Sequence, residues 1–405
     1  MAGGYANWPP PGPCPGPKEH GLGTTPAIAS RQPGAEHMTV VLHVLEALEG
    51  GTARHLVDLI ATVDGVCHHV AIPRRRRFGL TDAMAAGAIE DGGGRVHFIE
   101  MNRRPLSVSN ATALRALWRL MHEIDPAIVH GHSSIGGALA RLAAYRRAVP
   151  VVYTPNAIAT GQGAIAIERI LARRTDRFIA VSESEGEQAL QLGVVRPDQL
   201  RVVPNGIDPA TPPALEPSLR DRLGLQSTTP LVGTVGRLVA QKAPEIFVAT
   251  CELVAGQSPE AHFVLIGSGP LQGAMARSVT RAGLLGRFHH LPALVGAARA
   301  LAEFEVFVST ARFEGGPYAP LEAMRAGTPV VLTDVVGNRD AIVPGVSGLL
   351  VPHDDPAATA RAVETLLADP ELQASLSGAA VIRVTDRFGL RAMGEATAAV
   401  YAELI

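Results

Sequence analysis

The sequence TVVLHVLEALEGGTARHLVDLI, residues 39–60, joins an aliphatic run to an amphipathic run across two glycines. Residues 39–45 are mostly β-branched or aliphatic, which predicts a buried strand. Four apolar residues then recur at the i, i+3, i+4, i+7 spacing of a helix face: Ala53, Leu56, Val57 and Ile60. We expect this face to cover a sheet, with the polar residues Arg54, His55 and Asp58 directed elsewhere.

The same alternation of short aliphatic runs and longer amphipathic segments continues to about residue 208. It restarts at residue 231, after the Pro-rich interval 209–217. Strands that alternate with helices predict an α/β protein with parallel, doubly wound sheets, and 405 residues suffice for about two domains. We predict a disordered Pro/Gly-rich tail over 1–36, a first Rossmann-like domain over 37–208 and a second over 209–385.

Composition narrows the function classes. The chain has 36 Lys+Arg against 38 Asp+Glu, without the basic excess that nucleic-acid binding requires. Its three cysteines form no C-x-x-C pair, which argues against a thiolate zinc site. No apolar run has the length of a membrane span, and the N-terminal residues do not resemble a signal peptide. We expect a cytoplasmic protein that binds no nucleic acid.

Ligands of open α/β sheets bind beyond the carboxyl ends of the strands. Gly50 and Gly51 follow the first strand and would expose backbone N–H groups at a helix N-terminus, although a plain tight turn explains them equally well. His132 ends the strand that contains His130, and we expect these two histidines to point to opposite faces. A structural role for His132 is as well supported as a ligand-binding one.

Arg237 and Lys242 follow the first strand of the second domain. Lys18 and Lys242 are the only lysines of the chain, so Lys242 is the only one in its predicted folded part. Two cations at this position could hold a diphosphate, because arginine offers a planar fork of donors and lysine a point charge. The alternative is that Lys242 is an ordinary solvated loop charge.

Glu314 and Glu322 are separated by seven residues across a Gly-Gly-Pro turn that leads into a helix. Carboxylates accept hydrogen bonds from vicinal hydroxyl groups, and a helix N-terminus attracts phosphate. The pattern therefore indicates a site for a carbohydrate joined to a phosphate. The alternative is that Glu322 is only a favourable acid near a helix start and Glu314 a solvated loop residue.

The ordered motifs GRLVAQK (236–242), IGSGP (266–270), EGGPYAPLEAMRAGTPVV (314–331) and GLLVP (348–352) closely resemble the retaining glycosyltransferases of family 4. Glu314 and Glu322 match the E-x7-E motif of that family. The resemblance extends over about residues 38–405. It implies the GT-B architecture, in which two facing Rossmann-like domains enclose a cleft, and a C-terminal helix, within 386–405, that crosses back to the first domain.

The resemblance also implies roles for individual residues. Arg237 and Lys242 would stabilise the donor diphosphate, Glu322 would bind the ribose, and His132 would approach the donor sugar from the opposite domain. Glu314 would hold the sugar hydroxyl groups together with the backbone of Gly315, Gly316, Pro317, Tyr318 and Ala319. Two residues depart from the family pattern. Many relatives carry histidine at the position of Asn156, and glycine is frequent at the position of Pro292.

The implied activity is transfer of a sugar, of hexosyl or acetylhexosaminyl type, from a nucleotide diphosphate sugar to a glycan or lipid-linked acceptor. A UDP-sugar is the first expectation and a GDP-sugar the second. Retention by front-face displacement needs no protein nucleophile, and we expect no metal and no cofactor. The alternatives are a sugar-nucleotide epimerase and a non-catalytic subunit that binds a nucleotide sugar.

Positive charge is concentrated in the first domain. It comprises residues 74–77, Arg103, Arg104, Arg115 and Arg119. The segment 113–124, which contains Trp118, has the pattern of an amphipathic helix. This region could contact an anionic membrane peripherally, at its inner face, or it could combine a buried helix face with a solvated basic loop.

Overall fold

The computed structural model describes residues 38–405 except 77–78, 81–82, 106, 146, 212–213, 293 and 295. The predicted tail, residues 1–36, lies outside the described residues. The described chain forms two parallel sheets with helices between their strands, so the predicted α/β class is confirmed. No described helix has the length and apolar composition needed to span a membrane.

The first sheet has seven parallel strands in the order β5-β2-β1-β6-β7-β8-β9. The strands are β1 (Thr39–Leu45), β2 (Val66–Ile72), β5 (Arg95–Phe98), β6 (Ile128–His132), β7 (Val151–Thr154), β8 (Arg177–Ala180) and β9 (Leu200–Val202). A two-stranded hairpin, β3 (Arg75–Arg76) with β4 (Gly79–Leu80), lies outside the sheet. The helices are α1 (Gly50–Thr62), α2 (Ala83–Asp91), α3 (Val108–Ile124), α4 (Ser134–Ala144), α5 (Gln162–Leu171) and α6 (Glu183–Gln191).

The second sheet has six parallel strands in the order β12-β11-β10-β13-β14-β15. The strands are β10 (Leu231–Val235), β11 (His262–Ile266), β12 (Phe288–Leu291), β13 (Val306–Ser309), β14 (Val330–Thr333) and β15 (Leu349–Val351). Its helices are α7 (Leu219–Leu223), α8 (Pro244–Gln257), α9 (Gln272–Arg281), α10 (Ala297–Ala300), α11 (Tyr318–Arg325), α12 (Asn338–Ala341), α13 (Pro356–Ala368) and α14 (Pro370–Arg387). In each sheet the strand order reverses beside the strand that comes first in the sequence, β1 in the first sheet and β10 in the second. This is the arrangement of Rossmann-like folds.

The C-terminal helix α15 (Leu390–Ala402) packs against the first sheet rather than the second. Met393, Val400 and Tyr401 of this helix share a buried cluster with Val41 and Leu59. The cluster covers β1 and α1 with residues that lie more than 300 positions away in the sequence, and it ties the end of the chain to its beginning.

Helix α1 buries more than its predicted apolar face. Ala53, Leu56, Val57 and Ile60 are buried as predicted, but His55 and Asp58 are also buried, at 1% and 0% exposure. These two polar side chains lie off the apolar stripe, as expected, but other parts of the chain enclose them. The physical reason is that α15 and residues following β9 contact α1 on its other sides, so both polar groups need internal partners.

Helix α3 resolves the two interpretations of the segment around Trp118. Ala113, Leu117 and Met121 are buried, and Trp118 packs against the same cluster and donates a hydrogen bond from Nε1 to the Ala143 carbonyl at 3.1 Å. The apolar face of this helix therefore packs on the core of the first domain. Arg115 and Arg119 remain exposed on the opposite face.

Candidate active site between the two sheets

The predicted site residues follow strands that flank the two points where strand order reverses. Gly50 starts α1 soon after β1, and His132 ends β6, the strand beside β1. In the second sheet Arg237 and Lys242 follow β10, and Glu314 follows its neighbour β13. A crevice at the carboxyl ends of strands on either side of such a reversal is the usual ligand site of this sheet type.

Lys242 and Glu314 form a close pair. The Lys242 ammonium group donates a hydrogen bond to Glu314 Oε1, and Gln241 donates from Nε2 to Glu314 Oε2 at 3.3 Å. Only 7% of the Glu314 side chain is exposed, against 28% for Lys242. Two loops that are far apart in sequence thus place a cation and a carboxylate side by side, each able to exchange its partner for a ligand group.

Arg237 lies against the start of α1, in the opposite half of the molecule. Its Nη1 is 3.3 Å from Glu49 Oε1, and Arg103 Nη2 is 2.6 Å from the same carboxylate oxygen. Gly50 has φ +56°, in the left-handed region that favours glycine, and a Cβ there would lie 3.6 Å from Arg237 Nε. The backbone of the first half and the guanidinium group of the second therefore face one another across a short gap.

Glu322 lies on α11 and also reaches α1. Arg54 Nη1 donates to Glu322 Oε1 at 3.3 Å, and the Arg54 guanidinium carbon lies 5.6 Å from the centre of the Tyr318 ring. A Cβ at Gly51 would be 3.6 Å from the same ring. Burial raises the pKa of Glu322, while the charges of Arg54 and Arg325 oppose that rise.

The loop between Glu314 and α11 is held through its backbone by the first half of the chain. Ser182 Oγ donates to the Gly315 carbonyl and Asn205 Nδ2 donates to the Gly316 carbonyl, both at 2.7 Å. A Cβ at Gly316 would lie 2.8 Å from the Val181 carbonyl oxygen, closer than real side chains approach. Glycine is required here because two backbones meet. Pro317 and Ala319 lie at the start of α11, which begins at Tyr318.

His132 is completely buried, and its Nε2 is 3.0 Å from His43 Nδ1. Its Nδ1 is a buried atom with no hydrogen-bond partner. Burial lowers the pKa of His132 well below its ordinary value, with a smaller contribution from His55. The expectation that His130 and His132 point to opposite faces was wrong: their ring centres are 4.0 Å apart, because residues two apart on a strand share a face.

One ring nitrogen from each of three histidines, His43, His130 and His132, lies within 4.8 Å of the other two. This spacing is compatible with a bound metal ion. Both nitrogens of His43 bond to neighbouring histidines, and those of His130 bond to Tyr401 and Thr154. Among the residues of this cluster only His132 has a ring nitrogen without a hydrogen-bond partner. The chemistry of the set favours an internal hydrogen-bond network over metal ligation.

Several residues of this site were not predicted from the sequence. Arg54, Glu49 and Asn205 all contact predicted residues, and Glu185 accepts hydrogen bonds at 2.7 Å from the backbone N–H groups of Val181 and Ala157. Burial raises the pKa of Glu185 to about 7. Arg54 lies three residues after Gly51 in the sequence, but no periodic pattern marks the others.

The two halves of the chain match two family descriptions. Residues 49–211 match "Glycosyltransferase Family 4", and residues 229–369 match "Glycosyl transferases group 1". A D-inositol 3-phosphate glycosyltransferase of Kineococcus radiotolerans is 31% identical over 68% of this chain and 71% of its own length. An Escherichia coli UDP-Gal:alpha-D-GlcNAc-diphosphoundecaprenol alpha-1,3-galactosyltransferase is 28% identical over 65% of this chain and 73% of its own.

Among solved structures, the fold is similar to that of Anabaena HepE in complex with UDP and glucose. The TM-score is 0.78 at 19% sequence identity, and the alignment covers 90% of this chain and all of the other. At this identity the similarity establishes the GT-B fold and nothing further about the ligand. Together with the matched families and relatives, it shows that the chain is a glycosyltransferase of GT-B fold that belongs to glycosyltransferase family 4.

Proposed function

We propose that this enzyme transfers a hexosyl or acetylhexosaminyl group, with retention of configuration, from a nucleotide diphosphate sugar to a glycan or lipid-linked acceptor. One observation carries the proposal. Arg237 lies against Gly50, and Glu322 of the second half pairs with Arg54 on the same helix turn of the first half. A ligand between these residues would meet cations, carboxylates and backbone N–H groups at the start of α1.

Cleavage of the bond between sugar and phosphate leaves negative charge on the departing diphosphate and positive character on the sugar ring. Arg237 and Lys242 would stabilise the departing diphosphate without a metal ion, since fixed cations act where charge develops. We assign no protein nucleophile. In a front-face displacement a diphosphate oxygen of the leaving group accepts the proton of the attacking acceptor hydroxyl.

The carboxylates would bind hydroxyl groups. Glu314, with the backbone of residues 315–319, would hold those of the sugar, and Glu322 those of the ribose. Lys242 and Arg54 occupy these carboxylates in the present structure. Donor binding would exchange these ion pairs for contacts with the ligand, and the Gly50–Gly51 backbone would add N–H donors toward the diphosphate.

The donor that we propose first is a UDP-sugar, with a GDP-sugar second. The related E. coli enzyme is named for a UDP-sugar donor, and HepE was solved with UDP. The name of the E. coli enzyme also specifies an acceptor linked to diphosphoundecaprenol, which supports a lipid-linked acceptor here. No specific feature of the structure favours an epimerase or a non-catalytic subunit.

A donor panel tests this proposal. The purified enzyme would be incubated with UDP- and GDP-hexoses and acetylhexosamines plus an acceptor extract, and nucleoside diphosphate release would be measured. We expect nucleoside diphosphate release with one of the nucleotide sugars. Lys242→Ala should lower the rate of release at least about a hundred-fold, because removal of one preorganised hydrogen-bond donor to a developing oxyanion has an effect of that size. Arg361→Ala, which removes an exposed arginine from α13, is the control.

Two outcomes would contradict the proposal. Full activity of Lys242→Ala would remove the diphosphate role. Conversion of the nucleotide sugar to an isomer without any release of nucleoside diphosphate would instead identify an epimerase. Tight binding of the nucleotide sugar without any turnover, in an extract that contains the acceptor, would identify a binding subunit.

Peripheral contact with an anionic membrane is part of the same proposal, with the protein on the cytoplasmic side. Arg103 and Arg104 are exposed, and the Arg74 guanidinium carbon lies 4.6 Å from the ring centre of Phe98, a residue that is 46% exposed. Val108, at the start of α3, is 82% exposed. We expect flotation with anionic but not neutral vesicles, and Arg103→Glu with Arg104→Glu to abolish it. Absence of flotation in the unaltered protein would refute the contact.

A further inference from the structure

Three histidines form a continuous hydrogen-bonded chain across neighbouring strands of the first sheet. His68 on β2 has Nδ1 at 2.9 Å from His43 Nε2 on β1, and His43 Nδ1 is 3.0 Å from His132 Nε2 on β6. All three side chains are buried, with at most 2% of each residue exposed. The chain thus connects the side of α1 to the end of β6 without contact with solvent.

The far end of the chain fixes where the protons lie. His68 Nε2 is 3.4 Å from the Val63 carbonyl oxygen, which can only accept, so this nitrogen carries the proton. Burial lowers the pKa of His68 to about 4, so the ring is neutral at pH 7 and its Nδ1 accepts. His43, whose pKa burial also lowers, therefore donates from Nε2 and accepts at Nδ1.

The same logic determines the state of His132. Its Nε2 donates to His43 Nδ1, and the neutral ring then carries a lone pair on Nδ1. This atom is buried and has no partner. A buried acceptor without a donor costs free energy, and such an atom in a native structure calls for a specific explanation.

A second chain of hydrogen bonds ends at a ring in contact with His132. Asn205 donates from Nδ2 to the Gly316 carbonyl, so its Oδ1 faces His55 Nδ1 at 2.9 Å. His55 must donate from Nδ1, and its Nε2 is another buried acceptor without a partner. The His55 and His132 rings are in edge contact, with centres 5.7 Å apart.

Two buried lone pairs, on rings that contact one another, call for groups that donate hydrogen bonds. A diphosphate offers only acceptor oxygens at neutral pH, whereas sugar hydroxyl groups donate. We propose that His43 and His68 are positioning residues that keep His132 in the Nε2–H tautomer, so that His132 Nδ1 accepts a hydrogen bond from a hydroxyl group of the transferred sugar. The identity of this ligand rests on the proposed function, and the tautomer does not.

The tautomer can be measured without any substrate. Two-bond correlation spectra of the protein labelled with ¹⁵N-histidine distinguish protonated from unprotonated ring nitrogens, and loss of signals in His132→Gln assigns His132. We expect a protonated Nε2 and an unprotonated Nδ1 at pH 7.5. His43→Phe should abolish this single tautomer. A proton on Nδ1 of His132 in the unaltered protein would overturn the proposal.

The matched control is the neighbouring pair His69 and His97. Its Nδ1–Nε2 distance is 2.9 Å and its rings are stacked, but it lies outside the chain that reaches His132. His69→Phe therefore removes a comparable histidine pair from the same strand, β2. We expect the His132 signals and sugar transfer to stay unchanged in this variant. A change equal to that in His43→Phe would reduce the chain to a general packing role and contradict the proposal.

Binding measurements separate positioning from general structural damage. We expect His43→Phe to lower kcat/KM for the nucleotide sugar about ten-fold, as loss of one hydrogen bond implies, and to leave the Kd of the free nucleoside diphosphate unchanged. His43→Gln, whose amide both accepts and donates, should restore part of the activity. Equal weakening of the binding of the nucleotide sugar and of the free nucleoside diphosphate would overturn the proposal. If no nucleotide binds the unaltered enzyme, the proposed function fails while the NMR result still decides the tautomer.

Discussion

Arg237 and Glu49 form an ion pair between the two halves of the molecule, with Nη1 of the arginine 3.3 Å from Oε1 of the glutamate. Both side chains are partly exposed, at 43% and 24%. The cation proposed for the donor diphosphate is therefore paired with a carboxylate of the first half. Exposed pairs of this kind are weak, at about 0–1 kcal/mol, so a diphosphate with two negative groups can displace Glu49.

The first prediction concerns this pair. Glu49→Gln should tighten binding of the nucleoside diphosphate by about two- to five-fold, because Arg237 no longer has to leave a carboxylate. Isothermal titration calorimetry with UDP and GDP measures the effect. Glu90→Gln, an exposed acid on α2, is the matched control. Weaker binding in Glu49→Gln would show that Glu49 contributes to the site rather than competes for Arg237.

The second prediction separates the two carboxylates of the E-x7-E motif. Glu322→Gln should weaken the free nucleoside diphosphate itself by about ten-fold, because a hydrogen bond to a charged group contributes about 1.5–3 kcal/mol. Glu314→Gln should leave the affinity for the nucleoside diphosphate unchanged and weaken only the binding of the nucleotide sugar. Kd values for both ligands in both variants give the answer. The assignment is wrong if the two variants behave alike.

The third prediction concerns the contact of two backbones at Gly316. A Cβ there would meet the Val181 carbonyl oxygen at 2.8 Å and Asn205 Nδ2 at 3.0 Å. Gly316→Ala should lower the free energy of unfolding by about 1–3 kcal/mol, the usual cost of an overpacked site. Differential scanning calorimetry should show a drop in Tm of several degrees. Gly378→Ala, where a Cβ meets nothing within 4 Å, should not show this drop.

The fourth prediction is a pH dependence of stability. Burial lowers the pKa of both His55 and His68 from 6.5 to about 4. Between these values the unfolded chain binds protons that the folded protein excludes, so the free energy of unfolding falls as the pH falls from about 6.5 to 4. Each histidine contributes at most about 1.4 kcal/mol per pH unit.

Urea denaturation at several pH values tests this dependence. His68→Phe should flatten the slope between pH 6.5 and 4, because one of the titrating groups is removed. His353→Gln, which replaces a histidine 56% of whose side chain is exposed, should leave the slope unchanged. An equal slope in His68→Phe and in the unaltered protein would show that His68 is already protonated in the folded state.

Much of the architecture followed from local patterns. The aliphatic runs around Val41, Val129, Val232 and Val331 are buried parallel strands, and the spacing of Leu56 and Ile60 correctly predicted the core face of α1. Three edge strands, β9, β12 and β15, have only three or four residues each. Three or four residues at a sheet edge carry too little periodicity to be recognised.

The interior polar groups could not be predicted in the same way. His55 lies off the apolar stripe of α1, so helical periodicity gives no sign that it is buried against Asn205. His43 interrupts an aliphatic strand, and its partners His68 and His132 lie 25 and 89 residues away. Nothing local in the sequence links such residues.

The sequence by itself determined the two parallel sheets and the family, and it marked Arg237, Lys242, Glu314 and Glu322 as candidate site residues, because strand periodicity and motif spacing are local properties of the chain. The tertiary structure alone decided which groups face these residues: Glu49 against Arg237, Arg54 against Glu322, and the histidine chain behind His132. These contacts depend on how two separately folded sheets approach one another, and that approach is set by long-range packing that no short segment encodes.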